Sequence, residues 1–389
     1  MGNYLIHQIN SAHIIWFAKS NQWVQLDEPQ WFIFLLYRDG VLRREAIERF
    51  ARRWGKGNAD STILVNNLYD SLEIMDGDGF AAPDYTVDAE LASAYTLERS
   101  RTYHYQQGSK SFSICYGSPH LEQYIHLPFA HLITEAAATQ LHLELFPFRG
   151  RYAMRINGER CLTTNESPQL KRLLFVELAG HLFEMPGNGW MAHLHASAVE
   201  KDGRLVLLAS PSGSGKSTLA ARLMQRGYRL FSDDFIPVSM DNQLLYPFPP
   251  ALCIKKGALE EVQQQGIRPQ LVHHHTGYLQ PDNPIIQPMK ATEMIFVNYR
   301  AGATTSLEPV PPEEALQILL QESWVSNRYE GASKFIHWFK GLTFRRLIHN
   351  GSGEELEGAV GLGLDCGEGE ELGSGPGLDG AALDSDSPG

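Results

Sequence analysis

Residues 205–234 decide the fold, and they read LVLLASPSGSGKSTLAARLMQRGYRLFSDD. The apolar run Leu205–Ala209 predicts a buried strand, and S-P-S-G-S-G-K-S at Ser210–Ser217 follows it directly. The segment Leu219–Gln225 then continues as a helix. A strand, a glycine-rich loop ending in Lys-Ser and a helix, in this order, are typical of a phosphate-binding P-loop, here with Ser210 in place of the usual first glycine.

The residue types of this loop suit a nucleotide triphosphate. Glycine at Gly213 and Gly215 lets backbone N–H groups approach phosphate oxygens without a Cβ in the way. The helix start adds partial positive charge. We expect Lys216 to reach the β- and γ-phosphates and the Ser217 hydroxyl to bind Mg²⁺.

A pair of carboxylates follows the next predicted strand. Tyr228–Phe231 is predicted to be a short strand, and Asp233-Asp234 closes it. A strand that returns after one helix should run parallel to the first strand, as its neighbour or near neighbour, so that its carboxyl end lies beside the P-loop. One carboxylate can then hold Mg²⁺ while the other accepts a proton from an incoming hydroxyl. A solvated pair that caps a loop is the alternative.

His195 can be placed by strand register. Asp202-Gly203 predicts a two-residue hairpin turn, and counting back from it sets residue 195 opposite Ser210. His195 should therefore lie at the mouth of the phosphate site, where it would orient an aspartate or neighbour a phosphate. A purely structural histidine is the alternative.

These residues carry a family resemblance. His195-Ala196, S-G-S-G-K-S and R-G-Y-R-L-F-S-D-D (Arg226–Asp234) resemble, in order and spacing, the HPr serine kinase/phosphorylase family. They are more similar still to the branch of HPr-kinase-related kinases, type A, found beside PqqD-like modules. P-F-P-P-A-L-C-I-K-K (247–256) and F-V-N-Y-R-A-G-A-T-T-S-L-E-P-V (296–310) match later landmarks. The similarity covers about residues 105–350 and implies an α/β P-loop kinase core of the HPr kinase/phosphoenolpyruvate carboxykinase-like type.

The resemblance implies roles for single residues. It makes Asp233 the base that deprotonates an acceptor serine, with His195 near it, and Ser217 with Asp234 the Mg²⁺ ligands; the spacing leaves the two aspartates exchangeable. Lys255 matches a lysine that faces the phosphates. The ATP phosphates would be held by Ser212, Gly213, Ser214, Gly215, Lys216, Ser217, Thr218 and Lys255. The family's phosphorolysis signature, similar to E-I-R-G-L-G-I-I, is replaced here by I-K-K-G-A-L-E-E (254–261), which disfavours a true HPr kinase and the reverse reaction.

Residues 1–78 predict a small winged-helix-like α+β domain. Short apolar runs at Tyr4–Ile9 and His13–Ala18 indicate a hairpin, and three helical patterns follow at Pro29–Tyr37, Leu42–Trp54 and Ser61–Met75. W-V-Q-L-D-E-P-Q-W-F-I-F-L-L (23–36) and the helix ending L-Y-D-S-L (68–72) resemble PqqD-like peptide-recognition domains. That resemblance implies a peptide that adds to the edge strand and lies against the third helix. A structural or DNA-binding winged helix is the alternative, and DNA binding is disfavoured because the third helix has no basic residue.

Charge separates the tail from the rest of the chain. The 389 residues carry a net charge of −12, and residues 351–389 hold ten Asp/Glu, twelve Gly and no Lys or Arg. The remaining 350 residues are nearly neutral, which argues against a nucleic-acid partner. We expect residues 79–100 to be a linker, 101–190 the N-terminal part of the kinase-like region, 191–350 the kinase core and 351–389 a disordered tail.

The remaining patterns concern the cellular compartment, metal binding and the oligomeric state. The four cysteines are widely spaced, and no apolar run approaches the length of a membrane span, so a cytoplasmic protein is expected. His273-His274-His275 is interpreted as a polar loop in preference to a metal tract. The HPr-kinase resemblance also suggests a homo-oligomer.

Together these patterns predict an ATP-dependent kinase that transfers the γ-phosphoryl group to a Ser/Thr hydroxyl of a peptide or protein, such as a precursor peptide, recruited by the N-terminal domain. Two alternatives stay open. One is a small-molecule kinase on the same core, and the other is a nucleotide-sensing, peptide-binding chaperone without catalysis.

Overall fold

The computed structural model describes residues 4–55, 57–77, 85–87, 97, 100–135 and 139–350, which form a mixed α/β fold. The strands are β1 (Tyr4–Ile9), β2 (Ala12–Phe17), β3 (Gln22–Leu26), β4 (Thr86–Val87), β5 (Arg101–Gln107), β6 (Lys110–Tyr116), β7 (Leu141–Phe148), β8 (Arg151–Ile156), β9 (Arg160–Thr164), β10 (Trp190–Leu194), β11 (Ser197–Lys201), β12 (Arg204–Ala209), β13 (Arg229–Ser232), β14 (Ile236–Ser239), β15 (Leu252–Ile254), β16 (Leu271–His273), β17 (Thr276–Leu279), β18 (Ala291–Tyr299), β19 (Ser306–Pro309), β20 (Ser323–Val325) and β21 (Thr343–His349). The α-helices are α1 (Glu28–Arg38), α2 (Arg43–Trp54), α3 (Asn58–Asp76), α4 (Pro119–Phe129), α5 (Ser167–Leu182), α6 (Lys216–Gln225), α7 (Lys256–Gln264), α8 (Pro312–Glu322) and α9 (Tyr329–Lys340).

The N-terminal segment folds as three antiparallel strands followed by three helices. β1 and β2 pair across the turn at Asn10-Ser11, and β3 pairs with the other edge of β2. The first helix starts at a capping box, in which the Asp27 side chain accepts from the Gln30 N–H and the Gln30 side chain accepts from the Asp27 N–H. The second ends at Gly55 in the left-handed conformation. Each predicted element is present within three residues of its predicted ends.

The P-loop lies in a six-stranded mixed sheet with the order β13-β11-β12-β18-β21-β19. Asp202 and Gly203 have φ values of 53° and 80°, which form the predicted two-residue turn, and Ser197 pairs with Leu208 in the predicted register. β13 and β12 both run antiparallel to β11, which lies between them. The two strands are therefore parallel near neighbours, as predicted, and their carboxyl ends share one edge of the sheet.

A second six-stranded sheet, ordered β4-β9-β8-β7-β6-β5, carries helices α4 and α5. Its first strand, Thr86–Val87, lies within the predicted linker, residues 79–100, and Thr86 pairs with Thr163. At least these two residues therefore belong to a sheet. Most of that segment and the whole of 351–389, the predicted disordered tail, lie outside the described residues.

The N-terminal sheet packs directly on helices α8 and α9. Ile9 and Ile14 share one apolar core with Phe335, and Trp23 packs edge-on against the same ring. At the periphery, the Asn10 side-chain amide donates to Glu313 at 2.8 Å. The N-terminal unit is thus built onto the P-loop half by apolar burial, which is the main favourable term in such contacts.

None of the helices in the described ranges is both long and apolar enough to cross a bilayer.

Candidate functional site

A cavity of about 340 Å³ opens at the carboxyl end of the P-loop strand. Gly213 and Gly215 have φ values of 88° and 97°, which L side chains rarely adopt, so both positions require glycine. A Cβ at 215 would lie in ordinary van der Waals contact with the Tyr299 Cβ, at 3.5 Å, so the backbone conformation and not the space requires glycine there. Ser210, at the position where P-loops usually have their first glycine, takes a φ of 155°, a rare conformation that explains why glycine is usual there.

Lys216 turns its ammonium group back onto the loop that carries it. The side chain is buried, and Nζ donates to the carbonyl oxygens of Ser210 at 2.6 Å and Pro211 at 3.3 Å. Burial lowers the pKa of Lys216, while Asp234 and Asp233 oppose the shift. The Ser214 hydroxyl on the same loop has no hydrogen-bond partner in the described part of the chain. The Lys216 ammonium group and the Ser214 hydroxyl can both donate hydrogen bonds to an anion bound in the loop.

Asp233 lies under the loop, almost fully buried. Its carboxylate accepts from the Ser197 hydroxyl at 2.5 Å, from the Ser217 hydroxyl at 3.1 and 3.2 Å, and from the Cys253 N–H at 3.2 Å. Burial, followed by the negative charge of Asp234, raises the pKa of Asp233 to about 7. The contact that joins the P-loop serine to a carboxylate is therefore made by Asp233, the first residue of the pair.

Asp234 lies at the mouth of the cavity. It is the last of three side chains that contact one another in turn, namely Glu322, His195 and Asp234. Its φ of 62° is left-handed, and its side chain is 39% exposed. His195 Nε2 lies 3.3 Å from Asp234 Oδ1, and His195 Nδ1 lies 2.9 Å from Glu322 Oε2. The hydrogen bond with Asp234 raises the pKa of His195. Burial disfavours the charged form of Asp234, but the hydrogen bond and charge of His195 outweigh it and lower the pKa of Asp234.

The other predicted residues gather at the same cavity. Lys255 Nζ donates to the Ser212 hydroxyl at 3.2 Å, and Thr218 lies in the first turn of the P-loop helix. The predicted residues that line the cavity are His195, Ser212, Gly213, Gly215, Lys216, Ser217, Thr218, Asp234 and Lys255. Residues from four separate stretches of sequence therefore converge on one space.

The side chains at Ser217 and Asp233 fit a magnesium ion. A serine hydroxyl and a carboxylate, both hard oxygen donors, lie within 3.2 Å of each other at the start of the helix. Mg²⁺ is usually held by one or two protein oxygens together with substrate phosphates and water. In this arrangement Ser217 and Asp233 would hold the ion.

Comparison with known proteins gives a likeness to solved structures only. No family model matches the chain, and no curated protein does. Among solved structures, the Hpr(Ser) kinase/phosphatase from Coxiella burnetii aligns with 44% of this chain and 90% of its own, at 15% identity and a TM-score of 0.25. That TM-score is too low to support an argument about function.

Sequence reasoning missed several residues of the site. Ser197 is two residues beyond His195 on β11, so the same register counting could have placed it near the loop. Glu322 is 127 residues from His195, and no local pattern connects them. Tyr299 and His349 end β18 and β21, the two strands beyond the P-loop strand, and both line the cavity. Parallel strand ends meet at one edge, so a correct strand order would have indicated them.

Proposed function

We propose that the protein is an ATP-dependent kinase that transfers the γ-phosphoryl group to a Ser or Thr hydroxyl of a peptide or protein. The observation that carries the proposal is the pair of aspartates at the P-loop, one buried against Ser217 and the other exposed and bonded to His195. A nucleotide sensor needs the first carboxylate for its metal, but it has no use for the second.

The contacts support roles for the two aspartates that are the reverse of those implied by the family resemblance. Asp233, bonded to Ser217, would hold Mg²⁺, and Asp234, at the open mouth, would accept the proton. A Mg²⁺ ion held by Ser217 and Asp233 would neutralise negative charge that develops on the phosphate oxygens. His195 would orient Asp234 and be held in turn by Glu322.

In the transfer step, the acceptor oxygen forms a bond to the γ-phosphorus, and the bond from that phosphorus to the β–γ bridging oxygen breaks. ADP leaves with the bridging oxygen and its electron pair, while the hydroxyl proton passes to the Asp234 carboxylate. Lys216 and the loop N–H groups would stabilise the charge on the phosphate oxygens.

Recruitment by the N-terminal unit belongs to the same proposal. β1 and β3 are the outer strands of its sheet, and α3 exposes Ile63 and Ile74 on its surface, each 59% exposed. An outer strand beside an exposed apolar helix is what an extended peptide needs for main-chain pairing and side-chain selectivity. Removing residues 1–78 would uncover Phe335, so the test of recruitment is substitution on α3 and not deletion.

The proposal is tested by incubating the protein with ATP, Mg²⁺ and a panel of serine- and threonine-containing peptides, read by intact mass. We expect a peptide that gains one phosphoryl group. A phosphorylated metabolite in a cell extract with no modified peptide would indicate a small-molecule kinase. Nucleotide binding with neither product would indicate a sensor and would overturn the kinase proposal.

A further inference from the structure

A second cavity, of about 590 Å³, adjoins the nucleotide cavity at the aspartate pair. The two cavities share Asp234, Cys253 and Lys255, whereas no residue of the P-loop lines the second one. A hydroxyl that approaches Asp234 from this second cavity would therefore not compete with the nucleotide for space. The cavity is an open groove, and its position fits the entry path of the acceptor.

Three segments outside the P-loop fold wall this groove. They are helix α4, helix α5 and the hairpin formed by β16 and β17. The hairpin turns at His274 and His275, whose φ values of 45° and 65° form its two-residue turn, so the His-rich stretch is a hairpin tip beside the groove. The region 101–190 thus supplies two of these three segments.

The groove is cationic and aromatic beyond the aspartate pair. Lys171 Nζ lies 5.4 Å from the centre of the Tyr124 ring and 5.2 Å from that of Phe175. Lys171 forms no ion pair with any described residue, so its charge is balanced only by aromatic faces and by the more distant Asp234. Lys255 lies on another wall, and the imidazoles of His120, His273 and His274 complete the lining. Asp233 and Asp234 are the only acids among the described lining residues.

We propose that this groove binds the acceptor segment and selects a Ser or Thr with a carboxylate side chain close to it in sequence, which pairs with Lys171. This inference depends on the proposed kinase function and names the substrate class of that function. The Lys171 ammonium group lies over the rings of Tyr124 and Phe175, and the residue lines the groove, where a carboxylate can reach it. A charge-assisted hydrogen bond of this kind is about twice as strong as a neutral one.

The test uses three peptide pools with a fixed central Ser that differ only in having Glu, Gln or Lys at the two positions on either side. For the wild-type chain we expect kcat/KM to be about 10-fold higher with the Glu pool than with the Gln pool, and lowest with the Lys pool. Lys171→Met keeps an unbranched apolar side chain beside the aromatic rings and removes the charge. It should abolish the Glu-over-Gln preference.

Two further variants separate charge from packing. Lys171→Arg should restore the preference for Glu, because it restores the positive charge. Lys334→Met removes a lysine on α9 that pairs with Glu330 far from the groove, and it should keep the wild-type preference. The KM for ATP should be unchanged in all three variants, which shows that the nucleotide site is intact.

The outcomes distinguish the two proposals. Transfer at equal rates to all three pools, or a preference for Glu that survives in Lys171→Met, overturns the groove assignment while leaving the kinase intact. Absence of transfer to any pool, with ATP bound normally, contradicts the kinase proposal and the groove assignment with it.

Discussion

His193 gives a prediction whose size can be calculated from its surroundings. The ring lies between Phe235 and Trp324, with centroid distances of 5.0 and 4.9 Å and interplanar angles of 22°, and its Nε2 has no partner in the described part of the chain. Burial, with a smaller contribution from the charge of Arg172, lowers the pKa of His193 to about 3. In the unfolded chain the pKa returns to about 6.5.

The direction of the pH effect on the free energy of unfolding depends on whether the folded or the unfolded chain binds the proton at His193 more readily. Below pH 6.5 the unfolded chain binds a proton at His193 that the folded chain does not bind until the pH approaches 3. The free energy of unfolding therefore falls as the pH is lowered through this range. At pH 5, about 1.5 pH units below the unfolded value, the loss from this residue is about 2 kcal/mol.

We expect His193→Phe to remove this loss. Phenylalanine keeps a planar ring in the stack and carries no titrating nitrogen. Urea unfolding followed by circular dichroism at pH 7 and pH 5 should show the variant losing about 2 kcal/mol less than the wild type between the two conditions. His120→Phe, which replaces an exposed imidazole, is the control and should follow the wild type. An equal loss of stability in His193→Phe and wild type would refute the reasoning.

The remaining predictions concern activity. Lys216→Ala and Asp233→Asn should each lower turnover by about 10²-fold or more while the chain stays folded by circular dichroism; wild-type turnover in either would remove that residue from the mechanism. Asp233→Asn should raise the Mg²⁺ concentration needed for half-maximal rate, whereas Asp234→Asn should lower kcat by about 10²-fold at saturating Mg²⁺, and the opposite pattern would restore the first assignment. Ile63→Glu with Ile74→Glu should raise KM for a full-length peptide substrate and leave ATP binding unchanged; an unaltered KM would argue against recruitment by α3.

Local signals made much of the fold predictable. The P-loop strand and helix, the hairpin register and the three N-terminal helices all follow from short-range patterns: a two-residue turn, glycine positions and helical spacing of apolar residues. The turn at Asp202-Gly203 fixed the position of His195 because a two-residue hairpin permits one register. These features depend on residues within about 20 positions of one another.

Features that depend on tertiary contact could not be predicted. His195 contacts Asp234 through one ring nitrogen and Glu322 through the other. Glu322 ends a helix whose local pattern indicates only a stripe of buried residues. The groove needs walls from helices α4 and α5 and from the hairpin at residues 271–279, and the sequence contains no signal that these segments meet. The apolar runs of the N-terminal segment also do not indicate that its sheet packs on α9, because such runs are compatible with any apolar core.

The unequal surroundings of the two aspartates are a consequence of backbone geometry at the end of β13. β13 ends at Ser232, and the bend that follows it turns the two consecutive carboxylates toward different surroundings. Asp233 faces Ser197 and Ser217, where three donors hold it beneath the loop. Asp234 takes the left-handed conformation, with φ of 62°, and projects toward His195. Both carboxylates line the groove, but Asp233 is almost fully buried and bonded to Ser217, whereas Asp234 is the more exposed of the two. These surroundings favour the roles we propose, with Asp233 as the Mg²⁺ ligand and Asp234 as the base.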